Sequence, residues 1–107
     1  MGNITTVDQN NIESFLKENP IALIGFWAAW CGPCKMMSPI LYDLATQHSG
    51  KYVVGKVNVD ECKELSEQYA IENLPTLLVI KHGKEVGRII GYLGVEELKK
   101  EIVGFLF

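Results

Sequence analysis

Ile21-Ala22-Leu23-Ile24-Gly25-Phe26-Trp27-Ala28-Ala29-Trp30-Cys31-Gly32-Pro33-Cys34-Lys35 is the stretch on which the reading of this chain turns. Its first seven residues are apolar without alternation, the pattern of a central strand covered on both faces rather than one with a wet side. Two cysteines follow, three apart. From Pro33 to His48 the spacing of Met37, Ile40, Leu41 and Leu44 is helical, with Pro39 predicting a kink and Gly50 the end. A buried strand thus runs straight into a helix whose first turn carries two thiols.

Working outward, Asn3 to Val7 is a short β-prone run, and any of Asp8 to Asn11 can cap a helix bearing Ile12, Phe15 and Leu16 on one face. Pro20 closes that helix. Tyr52 to Val59 predicts another strand, and Asp60 begins a short helix in which Leu65 and Tyr69 fall on one side. After Pro75, Thr76 to Ile80 and Glu85 to Ile90 form an antiparallel hairpin through Lys81-His82-Gly83-Lys84. A last helix follows Gly94, with Val95, Leu98, Ile102, Phe105 and Leu106 as its apolar stripe and Glu96, Lys99, Lys100 and Glu101 as its wet face. The order βαβαβαββα implies an α/β architecture, a mixed central sheet of about five strands with helices on both faces. No repeat or linker is visible, so residues 1–107 are expected to form a single domain.

Composition narrows the function by exclusion. With 48% hydrophobic and 21% charged residues the chain has the ordinary globular mixture, which excludes a disordered or low-complexity reading. Ten basic residues against thirteen acidic ones, with the lysines scattered, favour neither nucleic acid nor an anionic membrane as a partner. No apolar run is long enough to span a bilayer, and no basic-then-apolar leader opens the chain, so the cytoplasm is the expected location. Gly2 with Thr6 fits the short myristoylation template, but Ile4 to Val7 read better as a strand.

Three cysteines are too few, and odd in number, for a disulfide framework, so their use is expected to be chemical. The spacing of Cys31 and Cys34 permits a disulfide with little backbone movement, and so small a loop makes a poor structural staple. A cycling bond explains the pair better. A helix N-terminus supplies free N–H groups and the positive end of a dipole, which favour a thiolate at Cys31. Gly32 allows the turn, and Pro33 fits the first helical position because its missing N–H had no partner to lose. Cys34 is then the resolving thiol. A zinc site needs four ligands, and Cys62, His48 and His82 are too dispersed to complete one, so no metal is expected. Cys62, near the start of the third helix, is either an inert thiol or a site of regulatory oxidation.

The residues Phe26-Trp27-Ala28, Trp30 to Lys35, Lys56-Val57-Asn58-Val59-Asp60, Leu74-Pro75-Thr76, Gly83 and Gly91 together resemble the thioredoxin family over essentially the whole chain. The resemblance implies the thioredoxin fold and a monomeric protein-disulfide reductase that needs no cofactor beyond its own Cys31–Cys34 pair. It implies a thioredoxin reductase, NADPH- or ferredoxin-linked, as electron source. Disulfide-containing proteins are the implied substrates, with ribonucleotide reductase, peroxiredoxins and methionine sulfoxide reductase among the family's usual ones. Pro75 would follow a cis bond facing the cysteines, and the backbone of Leu74 would pair with a substrate strand. Trp30, Gly32, Pro33, Val59, Leu74, Gly91 and Tyr92 would form an apolar docking surface round an exposed sulfur, while Trp27 belongs to the core. Two departures stand out. Gly25 occupies the place of a buried aspartate that manages the resolving thiol's proton beside the lysine matching Lys56. Gly25, Lys56 and Lys35 are therefore expected to tune the redox chemistry. Asn73 and Tyr92 stand where many relatives have small residues and should narrow the range of partners. A binding module with dispensable cysteines is the rival class, disfavoured by the intact pair. An oxidant of the disulfide-forming kind calls for an oxidising compartment.

Overall fold

A computed structural model describes residues 4–47 and 51–107. Gly2, Asn3 and the helix end expected at His48 to Gly50 lie outside the described residues. Nine elements follow in the expected order: β1 (Ile4–Thr6), α1 (Ile12–Glu18), β2 (Ile21–Trp27), α2 (Gly32–Gln47), β3 (Val53–Asn58), α3 (Lys63–Gln68), β4 (Thr76–Lys81), β5 (Lys84–Ile90) and α4 (Val95–Leu106). The sheet runs β1-β3-β2-β4-β5. Pairing is parallel for β1–β3 and β2–β3, antiparallel for β2–β4 and β4–β5.

β2 lies in the middle, so its side chains are shared between two cores. Leu23 turns to the face where Met37 and Leu44 of α2 meet Leu98, Ile102 and Leu106 of α4. Ala22, Ile24 and Phe26 turn to the other, where Phe15 of α1 and Leu65 of α3 pack. That double coverage is the physical cause of an unbroken apolar run. Gly87 on β5 serves the first core: a Cβ there would overlap the ring of Phe105 from α4.

The hairpin turn is tighter than expected. His82 and Gly83 alone connect β4 to β5, with φ of 51° and 80°, the twin left-handed conformations of a two-residue turn that matches strand twist. α3 begins later than expected, at Lys63 rather than Asp60. Asn58 explains the delay: its side-chain Oδ1 accepts the Asp60 N–H at 2.9 Å, and its carbonyl accepts from Glu61 and Cys62. This local side-chain bond holds a turn where a helix would otherwise start.

Candidate active site

Cys31 and Cys34 are joined as a disulfide at the start of α2, with Cα atoms 5.3 Å apart. The chain leaves β2 at Trp27, and the Cys31 N–H donates to the Ala28 carbonyl at 3.1 Å, closing the turn that aims Cys31 at the helix end. Gly32 is the first helical residue and Pro33 the second, one position later than expected. Pro33 still falls in the first turn, where N–H groups have no intrahelical partner, so its ring is accommodated for the reason foreseen. The Cys34 N–H is one of those unpartnered donors, and it donates to Cys31 Sγ at 3.2 Å. Ala28 packs with both cysteines, and Trp27, Val59 and Leu74 close over them.

The expectation of an exposed sulfur needs correction. Cys31 is 5% exposed and Cys34 6%, so exposure does not separate the two thiols. The surface beside them is carried by Trp30, which is 70% exposed. Its indole Nε1–H donates to Asp60 Oδ2 at 2.9 Å, holding the ring by one polar edge. Trp27, expected in the core, is half-buried against the cysteine cluster, and Lys56 Nζ stands 5.7 Å from its ring centroid, within cation–π range.

The Leu74–Pro75 bond is cis, as the resemblance implied. Two hydrogen bonds hold that loop. The Gly91 N–H donates to the Pro75 carbonyl at 2.8 Å, with Gly91 at a φ of 92° that favours glycine. The buried Thr76 hydroxyl donates to the Asn73 carbonyl at 2.6 Å. Asn73 itself and Tyr92 are exposed. The sequence reading assigned no part to Thr76 or to the side chain of Asp60. A hydroxyl at the head of the apolar strand Thr76 to Ile80 was the available signal for the first; nothing in the sequence marked the second.

Gly25 and Lys56 are neighbours across the β2–β3 ladder. Both line a cavity of about 360 Å³ that reaches from the sheet to Cys34, with Leu41 of α2 opposite. Lys35 and Pro75 also touch this space. Leu41 crowds the place of the absent side chain, since a Cβ on Gly25 would stand 3.2 Å from its Cδ1, and the Lys56 ammonium faces the Trp27 ring.

Among the described residues no three potential ligands come together to hold a metal. What the arrangement can do is make and break its own disulfide, with a helix end favouring one sulfur as thiolate. Fold and site together define a thiol-disulfide oxidoreductase on an α/β scaffold. The family model for thioredoxin matches residues 3–103. Thioredoxin 2 of Chlorobaculum tepidum is 42% identical over 95 residues, covering 89% of this chain and 87% of its own. The thioredoxin of Alicyclobacillus acidocaldarius is 41% identical over 103 residues, covering 96% and 97%. Among solved structures, that of Malassezia sympodialis thioredoxin superposes with a TM-score of 0.86 at 26% identity, covering 98% of this chain and 92% of that one. The chain belongs to the thioredoxin family. It is accordingly a protein-disulfide reductase that works through its cysteine pair directly, without a cofactor.

Proposed function

We propose that Cys31 is the attacking thiolate and Cys34 the resolving thiol. The observation that carries this assignment is the N–H of Cys34 donating to Cys31 Sγ at the head of α2, since a hydrogen bond and a helix dipole both favour the charged form of the atom they face. In the reduced protein the Cys31 thiolate attacks one sulfur of a substrate disulfide, forming a mixed disulfide and releasing the other substrate sulfur as a thiolate. Cys34 then loses its proton and attacks Cys31 Sγ, closing the Cys31–Cys34 bond and releasing the second substrate thiol. The substrate gains two electrons and the chain loses two. A thioredoxin reductase restores them.

The same reading extends to the surroundings. Substrate backbone pairs with Leu74 as a short added strand, held in register by the Gly91 and Thr76 hydrogen bonds to the loop. Trp30, Gly32, Pro33, Val59, Gly91 and Tyr92 supply the apolar contact, with Asn73 and Tyr92 limiting which partners fit. Ribonucleotide reductase, peroxiredoxins and methionine sulfoxide reductase are the substrate classes favoured by family membership, acting with a monomeric, single-domain, cytoplasmic protein. Among the described residues no helix is long and apolar enough to cross a membrane.

With Gly25 in place of a carboxylate, Cys34 has no acidic proton acceptor on β2, and no like charge there opposes the Cys31 thiolate. Lys35 and Lys56 are the cations left on this side of the pair, so we place the nucleophile pKa below, and the potential above, the usual thioredoxin values of about 7 and about -270 mV. Trapping tests the roles: Cys34→Ser should accumulate a mixed disulfide through Cys31 on mass spectrometry, and Cys31→Ser should accumulate none. The reverse pattern would overturn the assignment. Titrating thiolate absorbance in wild type and Gly25→Asp tests the tuning, with the aspartate variant expected to show the higher nucleophile pKa.

A further inference from the structure

Behind Cys34 lies a cavity that is partly open to solvent. At about 360 Å³ it falls within the range of small-molecule sites. Its walls are mainly apolar, formed by Gly25, Phe26, Leu41, Leu77 and the ring of Trp27. Besides the lysines, its polar lining is the hydroxyls of Ser38, Tyr42 and Thr76. The Thr76 hydroxyl on the wall is already engaged with Asn73.

Its charges are all of one sign. Lys56 and Lys35 line it, and no aspartate or glutamate does. Lys56 is half-buried, and its ammonium stands 5.7 Å from the Trp27 ring centroid, a contact that leaves its three N–H donors available to an acceptor. An apolar chamber with a cation on its wall is complementary to an amphiphile of opposite charge. We propose that this cavity binds a small organic anion, a monocarboxylate with an apolar tail, placing the tail along the wall formed by Leu41 and Leu77 and the carboxylate at Lys56. Glycine at position 25 leaves this wall clear: an added Cβ would already stand 3.2 Å from Leu41 Cδ1 and press on that side chain, and anything longer would crowd the chamber. The site meets the redox pair at Cys34 and the docking loop at Pro75.

Hexanoate, hexanol and hexylammonium, matched in tail and differing in charge, test this on the full oxidised chain by nuclear magnetic resonance titration. Hexanoate should give saturable shifts at Gly25, Leu41 and Lys56, at least tenfold tighter than hexanol, with hexylammonium silent. Lys56→Gln should bring hexanoate down to the affinity of hexanol, and Gly25→Leu should abolish both. Hexanol binding as tightly as hexanoate, unchanged hexanoate affinity in Lys56→Gln, or no saturable shift with any probe would each overturn the proposal. Lys56→Gln leaves the chamber's apolar walls in place, so the charge test stands even where Gly25→Leu does not fold.

Discussion

Cys31 and Cys62 occupy the same position, immediately before the first residue of a helix, and each is 5% exposed. Their chemistry is opposite. Cys31 receives an N–H from the first turn and has a second sulfur within bonding reach. Cys62 is a free thiol whose sulfur lies 4.0 Å from the Val7 carbonyl, with Val7, Phe15 and Leu65 in the same core. Burial pushes its pKa up, Asp8 and Glu61 push it further, and only the Gln9 backbone N–H opposes them. A helix start is therefore not enough to make a reactive cysteine. What matters is whether the first-turn donors reach the sulfur and whether the surroundings are apolar or acidic. Of the two readings of Cys62, its apolar and acidic surroundings favour the inert thiol.

The largest effect expected from this contrast is on turnover. Cys31→Ser and Cys34→Ser should each reduce insulin reduction with dithiothreitol to background, while Cys62→Ser should keep at least half of wild-type activity. Activity lost in Cys62→Ser with the fold intact by circular dichroism would break the contrast. Next in size is stability. Cys62→Ser puts a hydroxyl in place of a thiol inside an apolar core and should lower unfolding free energy by about 1–3 kcal/mol, measured by urea denaturation of the reduced proteins.

The two helix starts are also tied together, because Trp30 beside Cys31 donates to Asp60, two residues before Cys62. Asp60→Ala should cost about 0.5–1.5 kcal/mol and loosen the Trp30 ring, seen as a change in indole fluorescence anisotropy; an unchanged anisotropy would show that packing alone holds the ring. The smallest effect is on pH dependence. A thiol with a raised pKa is stabilised as its neutral form, so the contribution of Cys62 is complete below the ordinary value of 9.0 and declines as pH rises through it toward the folded-state value. Cys62→Ala should flatten the alkaline loss of stability in that range, leaving a residual loss from Tyr69, whose pKa burial also raises from 10.0.

Much of this was legible where one local cause dominates. β2 shows as an apolar run because two cores share it, and the thiol pair shows because spacing alone brings Cys31 and Cys34 together. The start of α3 was misplaced because a single side chain, Asn58, redirects the backbone. Pro33 was misplaced by one residue because the first turn tolerates proline at more than one position. The near-equal burial of the two cysteines, the Lys56–Trp27 contact and the chamber behind Gly25 depend on residues distant in sequence meeting in space. The Trp30–Asp60 bond spans thirty positions, and no pattern along the chain foretells it.

Burial of Cys62 also gives the molecule an internal gauge of its own opening. In the reduced chain Cys31, its thiolate favoured by the helix end, should attack a colorimetric disulfide reagent within seconds and Cys34 should resolve the adduct. Cys62, as buried but held neutral by its surroundings, should react only when the segment around α3 comes away from Phe15 and Val7. Where reclosing is fast, the slow phase of that titration reads the equilibrium between closed and open forms directly. The free energy of local unfolding at one end of the sheet can then be gauged with no label added to the protein.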